Sequence, residues 1–137
     1  MTQAFSNKAL VQASFDRWRN GAGSPFDLLA DDATWTIEGT SPLSKTYWRN
    51  ILLDQVMAPF NARLATPVVP KLRGLHADGD TVIALFDGAA TATDGQPYRN
   101  SYAWFMRMNA GKIVEVTAFL DTRALDEFWA RVSPGAS

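Results

Sequence analysis

The second half of the chain alternates between apolar and polar positions with a period of two, the pattern of half-buried β-strands. Four such segments follow Pro67, and short runs that favour tight turns, "DGD", "DGQP" and "NAG", separate them. The pattern predicts a four-stranded antiparallel meander made of "VVPKLRGLHA", "TVIALFDGAATAT", "YRNSYAWFMRM" and "KIVEVTAFLD".

The first half of the chain follows the helical period instead and contains one isolated strand. Ser6 can cap a helix from about residue 7 to residue 20, and Ser24-Pro25 begins a short second helix. A strand, "ATWTIEG", comes next, then a longer helix over "KTYWRNILLDQVM" that Pro59 kinks or ends, and the chain closes with the helix "TRALDEFWARV". We therefore predict one α+β domain over residues 1–137, with helices packed on one face of a curved, mainly antiparallel sheet.

The predicted hairpin turns bring polar side chains together on one face of this sheet. We take Asp94-Gly95 and Ala110-Gly111 as two-residue loops and count the paired residues back along each strand. Directly opposed residues share a face. One end of that face then collects Asp87, Asn100, Tyr102, Phe119 and Asp121. A sealed core holds carboxylates, an amide and a phenol only if each finds a partner, so we interpret this end as the wall of a pocket.

Each of these assignments has a plain alternative. If "NAG" is a three-residue loop with a bulge, the last strand slips by one residue, and Asp121 and Phe119 leave the face. Asp121 also precedes the last helix and can simply cap it. Asp87 can reach the surface through a bulge at Gly88, and Tyr102 can be a core residue whose hydroxyl bonds the backbone.

Composition narrows the function classes. The net charge is −1 with both signs interspersed, which argues against a nucleic-acid partner. There is no cysteine and one histidine, so we expect no disulfide, no tightly bound zinc and no cofactor. Neither a signal peptide nor a membrane span is visible, and we expect a cytoplasmic protein without membrane contact. Five Trp, eight Phe and three Tyr suit a core and also the wall of a small-molecule pocket.

Several segments together resemble the nuclear-transport-factor-2-like fold, the cone-shaped or cystatin-like α+β barrel, in its SnoaL-like and ketosteroid-isomerase-related branch. They are "ATWTIEG", "ADGDTVIALFDG", "DGQPYRNSYAWFMRMNAGKI" and "VTAFLDT". The resemblance implies a conical pocket between the helices and the sheet, and a homodimer formed through the outer sheet face. It also implies a functional aspartate near the end of the last strand in SnoaL-like cyclases, a position that Asp121 occupies here.

The steroid-isomerase pattern is incomplete in this chain. Glu38 lies near the family's base position, but its parity on the strand points it away from Trp35, and the N-terminal helix has no tyrosine. We therefore expect Asp121 to act as the base, Tyr102 as the oxyanion donor and Asn100 as the orienting residue. The expected ligand contacts are Trp35, Tyr47, Asp87, Trp104 and Phe119, and no metal site is expected.

Two functions stay open at this point. The first is a cofactor-independent isomerase, cyclase or dehydratase that moves a proton on a hydrophobic carbonyl compound. The second is a non-catalytic binder of a hydrophobic ligand, or a structural dimeric module. A carboxylate inside the pocket would favour the first.

Overall fold

A computed structural model describes residues 3–134 of the chain. Its helices are α1 (Gln3–Arg19), α2 (Arg49–Leu52), α3 (Ala58–Asn61) and α4 (Thr122–Arg131), with a 3-10 turn at Pro25–Leu28 and a π-helical turn at Leu53–Met57 between α2 and α3. Its strands are β1 (Leu29–Ile37), β2 (Thr46–Trp48), β3 (Val69–Asp78), β4 (Thr81–Thr91), β5 (Pro97–Asn109) and β6 (Lys112–Leu120).

All six strands join one sheet in the order β2-β1-β6-β5-β4-β3. Among the described strands only the β1–β6 pair is parallel, and the four strands after Pro67 form the meander that the alternation predicted. Helices cover one face of this curved sheet, so the predicted α+β cone-shaped architecture is confirmed. No helix within residues 3–134 is long and apolar enough to cross a membrane.

The prediction of a helix starting after Ser44 is wrong in its first turn. Residues Thr46–Trp48 instead pair with β1 as an edge strand, where Tyr47 lies opposite Trp35. The β-forming pair Tyr47-Trp48 gains a strand partner there that the local helical pattern does not reveal. The helix begins at Arg49 and passes Pro59 through the π-helical turn, which makes room for the proline ring.

The first predicted register is also wrong, by one residue. Ala92 pairs with Gln96: the Ala92 N–H donates to the Gln96 carbonyl at 2.8 Å, and Gly95, with φ of 84°, closes a three-residue loop. A type I turn followed by a glycine in the left-handed region is the usual geometry for this loop length. Asp87 therefore lies opposite Ser101 on the outer face of the sheet.

The second predicted turn is correct, but the register that we built on it is not. Ala110 and Gly111, with φ of 51° and 79°, form a two-residue loop between Asn109 and Lys112. A β-bulge then leaves Val114 without an opposite residue, and the rest of β6 slips by one. Phe119 consequently lies opposite Ala103 on the outer face, which is the outcome that the slipped register predicted.

Candidate ligand-binding cavity

A cavity of about 900 Å³ lies between the helices and the inner face of the sheet. That volume is within the range of small-molecule sites. Its walls come from the end of α1, from the π-helical turn and α3, from the loop that leads into β3, and from the inner faces of β1, β5 and β6. The aromatic residues lining it are Trp18, Phe26, Trp35, Phe60, Tyr98, Tyr102 and Trp104.

Four of these rings form two stacked pairs that meet at one corner. Trp18 from α1 stacks on Trp104 from β5 at 5.8 Å between ring centroids, and Phe26 stacks on Trp35 from β1 at 5.0 Å. Trp35 and Trp104 meet edge to face at 4.8 Å. Offset stacks and edge contacts at these distances are the favoured arrangements of aromatic rings. The result is a rigid, apolar aromatic wall at this corner of the cavity, in which Trp35 is 5% exposed and Trp104 is 4% exposed.

A hydrogen-bonded chain of polar groups borders the cavity along β5. The Tyr98 and Tyr102 hydroxyls are 2.8 Å apart, and the Asn100 amide nitrogen donates to the Tyr98 hydroxyl at 2.8 Å. The three residues share one face of the strand because they are two residues apart. Tyr98 is 2% exposed and Asn100 is 6% exposed, whereas Tyr102 is half-buried. Both tyrosines line the cavity.

The Asn100 side chain is held in one orientation. Its carbonyl oxygen accepts the Ser101 and Asp121 backbone N–H groups at 2.8 and 3.0 Å, and its amide nitrogen also donates to the Asp121 carbonyl at 3.0 Å. A flipped amide would face two N–H donors with its own N–H groups. Asn100 therefore ties the end of β6 to β5 and directs a donor at Tyr98.

Burial keeps both tyrosines protonated. It raises the pKa of Tyr102 well above its ordinary value of 10.0, and the neighbouring Tyr98 raises that pKa further. Burial also raises the pKa of Tyr98, and the hydrogen bond that Asn100 donates to its hydroxyl lowers it in part. Since desolvation disfavours the phenolate, the Tyr102 hydroxyl is a neutral hydrogen-bond donor at physiological pH and does not act as a base.

Gly88 leaves the space that the Tyr102 ring occupies. A Cβ on Gly88, which pairs with Asn100, would lie 3.1 Å from Tyr102 Cε1 and 3.0 Å from Val68 Cγ1. Tyr102 stacks on the other side against the fully buried Phe86, at 4.8 Å. The missing side chain therefore helps to fix the position of the hydroxyl.

The structure brings only some of the sequence-predicted site residues to the cavity. Trp35, Tyr102 and Trp104 line it, and Asn100 lies directly behind the two tyrosine hydroxyls. Asp121 does not line it. Its carboxylate is exposed and accepts the Arg123 and Ala124 N–H groups at 3.1 and 3.2 Å, so it caps α4, as the plain alternative predicted.

The other three predicted contacts also lie outside the cavity lining. Asp87, moved to the outer face by the register, accepts a hydrogen bond from Ser101 at 2.8 Å and pairs with Arg73 at 3.4 Å. No bulge at Gly88 is needed to put it there. Phe119 is 48% exposed on the outer face, moved there by the bulge in β6. Tyr47 is buried, and its hydroxyl donates to the Leu43 carbonyl at 2.6 Å.

Four aromatic residues that line the cavity were not predicted as site residues from the sequence: Trp18, Phe26, Phe60 and Tyr98. Tyr98 carried a usable signal, since it precedes Asn100 and Tyr102 at the same period of two. Trp18, Phe26 and Phe60 gave no such signal, because helix and loop residues reach the cavity only through tertiary packing.

The cavity lining is mainly apolar, with a few neutral polar side chains such as Asn20, Asn61 and Thr66. Among the described residues that line it there is no Asp, Glu or His, and Arg19 is the one charged residue. Within residues 3–134, no group of three His, Cys, Asp or Glu side chains is placed to hold a metal ion.

Several solved structures share this fold. An NTF2-like protein from Burkholderia thailandensis is 24% identical, with 89% of this chain and 95% of that chain covered and a TM-score of 0.71. A protein with a cystatin-like fold from Xanthomonas campestris is 22% identical, with 90% of this chain and 97% of that chain covered and a TM-score of 0.67. TerC, co-crystallised with polyporic acid, is 18% identical, with 90% of this chain and 98% of that chain covered and a TM-score of 0.71.

A search of curated proteins finds no significant match. A family model does match: the SnoaL-like domain, over residues 11–116, which is most of the chain. The NTF2-like neighbours and the six-stranded sheet under its helices agree with this match. The chain belongs to the SnoaL-like domain family.

Proposed function

We propose that the protein binds a flat, apolar small molecule that carries an oxygen acceptor, with the rings against Trp35 and Trp104 and the oxygen at the Tyr102 hydroxyl. The observation that carries this proposal is the arrangement of the cavity: stacked aromatic walls on one side and a neutral phenol donor on another. Flat aromatic walls complement flat ligands, and a single placed donor gives them orientation.

Binding is favoured over proton transfer by the polar groups available. The Tyr102 hydroxyl would polarise a bound carbonyl, which is half of what enolisation requires. The other half is a base within reach of the adjacent carbon, and the described lining contains no carboxylate or imidazole. TerC, a neighbour of the same fold, was co-crystallised with polyporic acid, so ligand binding by this fold has a precedent.

Tryptophan fluorescence titration with flat aromatic ketones tests the proposal. We expect saturable quenching with a micromolar dissociation constant, because Trp35 and Trp104 line the cavity. Trp104→Phe should remove much of the signal. Trp48→Phe is the matched control, since Trp48 is 63% exposed and lies outside the cavity lining.

The contribution of Tyr102 can be measured separately. Loss of one neutral hydrogen bond of about 0.5–1.5 kcal/mol weakens binding about 2- to 13-fold, so Tyr102→Phe should bind the ketone less tightly by that factor. Non-saturable quenching, or a signal that disappears with Trp48→Phe and not with Trp104→Phe, would reject binding in this cavity. Turnover of a ketone that requires Tyr102 would instead favour the proton-transfer function.

A further inference from the structure

The hydrogen-bond chain behind the cavity runs in one direction. Both hydrogens of the Asn100 amide are used, one on the Asp121 carbonyl and one on the Tyr98 hydroxyl, and the orientation of the amide is fixed by the two backbone N–H groups on its oxygen. The Tyr98 oxygen therefore accepts, and its own hydrogen needs an acceptor elsewhere.

The described structure gives the Tyr98 hydrogen one acceptor, the Tyr102 oxygen 2.8 Å away. If Tyr102 donated to Tyr98 instead, the Tyr98 hydrogen would be left unpaired on a residue that is 2% exposed. The cost of such an unpaired buried donor disfavours that arrangement by a factor of about 5 to 150. The favoured order is thus Asn100 to Tyr98 to Tyr102, and the Tyr102 hydrogen points away from Tyr98.

We propose that Asn100, acting through Tyr98, makes Tyr102 a fixed donor toward the cavity, so that the site selects a ketone or quinone oxygen over the corresponding alcohol. This inference rests on the proposed function and names its ligand class. A carbonyl oxygen accepts the Tyr102 hydrogen and leaves nothing unsatisfied. An alcohol that accepts the same hydrogen brings a further hydrogen of its own, which needs another acceptor because the Tyr102 oxygen already accepts from Tyr98. Asn100 is a positioning residue here, since it touches no ligand.

The test uses three probes of one shape: fluorene, 9-fluorenone and 9-fluorenol, each titrated by tryptophan fluorescence. Fluorene, which has no oxygen, reports on the apolar cavity alone. The quantity of interest is the ratio of the fluorenol to the fluorenone dissociation constant, because a loss of overall stability or cavity shape changes both constants together. In the wild-type protein we expect this ratio to be about 5 or more.

Two variants change the direction of the chain. Tyr98→Phe removes the donor to Tyr102, whose hydroxyl is then free to donate or accept, and the ratio should fall toward one. Asn100→Asp keeps the oxygen that accepts the two backbone N–H groups and replaces the donor with an acceptor, which should reverse the order and bring the ratio below that of Tyr98→Phe. Tyr47→Phe, which removes a hydroxyl bonded to Leu43 outside the cavity lining, is the matched control and should keep the wild-type ratio.

The outcomes separate this inference from the proposed function. If fluorenone binds and the ratio in a folded Tyr98→Phe variant equals that of the wild type, the inference is overturned while ligand binding stands, whatever the stability of Asn100→Asp. If none of the three probes binds, the proposed function fails for this ligand class. Neutron diffraction of the ligand-free protein then decides the inference alone. A deuteron on Tyr98 directed at Tyr102 supports it, and a deuteron on Tyr102 directed at Tyr98 overturns it.

Discussion

Gly88→Ala is a small change that should displace the Tyr102 ring, which lines the cavity. Its backbone needs no positive φ, so alanine is compatible with the strand. The added Cβ would lie 3.1 Å from Tyr102 and 3.0 Å from Val68, where an ordinary carbon contact is about 3.5–4.0 Å. The Tyr102 ring cannot retreat far, because it stacks on the fully buried Phe86.

The magnitude follows from two opposed terms. Overpacking of this kind lowers the free energy of unfolding by about 1–3 kcal/mol. Replacing glycine by alanine raises it by about 0.4–1 kcal/mol, because the unfolded chain becomes less flexible. We expect a net loss of about 1–2 kcal/mol in the free energy of unfolding, or about 3–7 °C in Tm for a chain of this size. The shifted ring should also lengthen the Tyr98–Tyr102 hydrogen bond and weaken ketone binding about as much as Tyr102→Phe does.

Urea unfolding of four proteins measures this: wild type, Gly88→Ala, Val68→Ala and the double variant. Because Val68→Ala removes one of the two crowded atoms, the double variant should be less destabilised than the sum of the single changes. A Gly88→Ala variant as stable as the wild type, with unchanged ketone affinity, would refute the claim that this glycine makes room for Tyr102.

Three further predictions concern pH, capping and assembly. Burial raises the pKa of Tyr98 and Tyr102, so the folded state holds these protons more tightly than the unfolded state does. The free energy of unfolding should therefore fall as pH rises above about 10, and it should fall less in Tyr102→Phe. Urea midpoints between pH 8 and 11 that show no such difference would contradict the burial of the Tyr102 hydroxyl. Asp121→Ala should cost about 1 kcal/mol and Asp121→Asn only a few tenths, since Asn caps equally well, and equal losses in urea unfolding would rule out capping as the role of this residue. We also propose a homodimer through the outer sheet face, where Leu85, Phe105 and Phe119 are exposed. Sedimentation should show twice the 15.1 kDa chain mass, and Phe119→Arg should reduce the sedimenting mass. A wild-type protein that sediments as a single chain at micromolar concentration would end this proposal.

Local sequence signals were enough to predict most of the architecture. Alternation with a period of two, broken by glycine-containing turns, predicted four of the six strands, and "ATWTIEG" predicted a fifth. The same period placed Asn100, Tyr102 and Trp104 on one face of β5, where the structure has them. The sixth strand was missed because Thr46–Trp48 is a strand only through its pairing with β1.

The candidate site was harder to predict, because register has no local signal of comparable strength. A loop of three residues at Gly95 and a bulge at Val114 each shift a strand by one residue, and one residue reverses which face a side chain occupies. Those two shifts removed Asp87 and Phe119 from the inner face. Loop length and bulges are decided by strand twist and by packing across the sheet, which a single sequence does not show.

A crystal structure of the protein with 9-fluorenone tests the central claim most directly. The account predicts the ligand inside the 900 Å³ cavity, in contact with Trp35 and Trp104, with its oxygen about 2.5–3.0 Å from the Tyr102 hydroxyl oxygen. The Tyr98–Tyr102 and Asn100–Tyr98 hydrogen bonds should be unchanged, since the donor is already oriented. A ligand bound outside the cavity, or bound inside with its oxygen turned away from Tyr102, would contradict it.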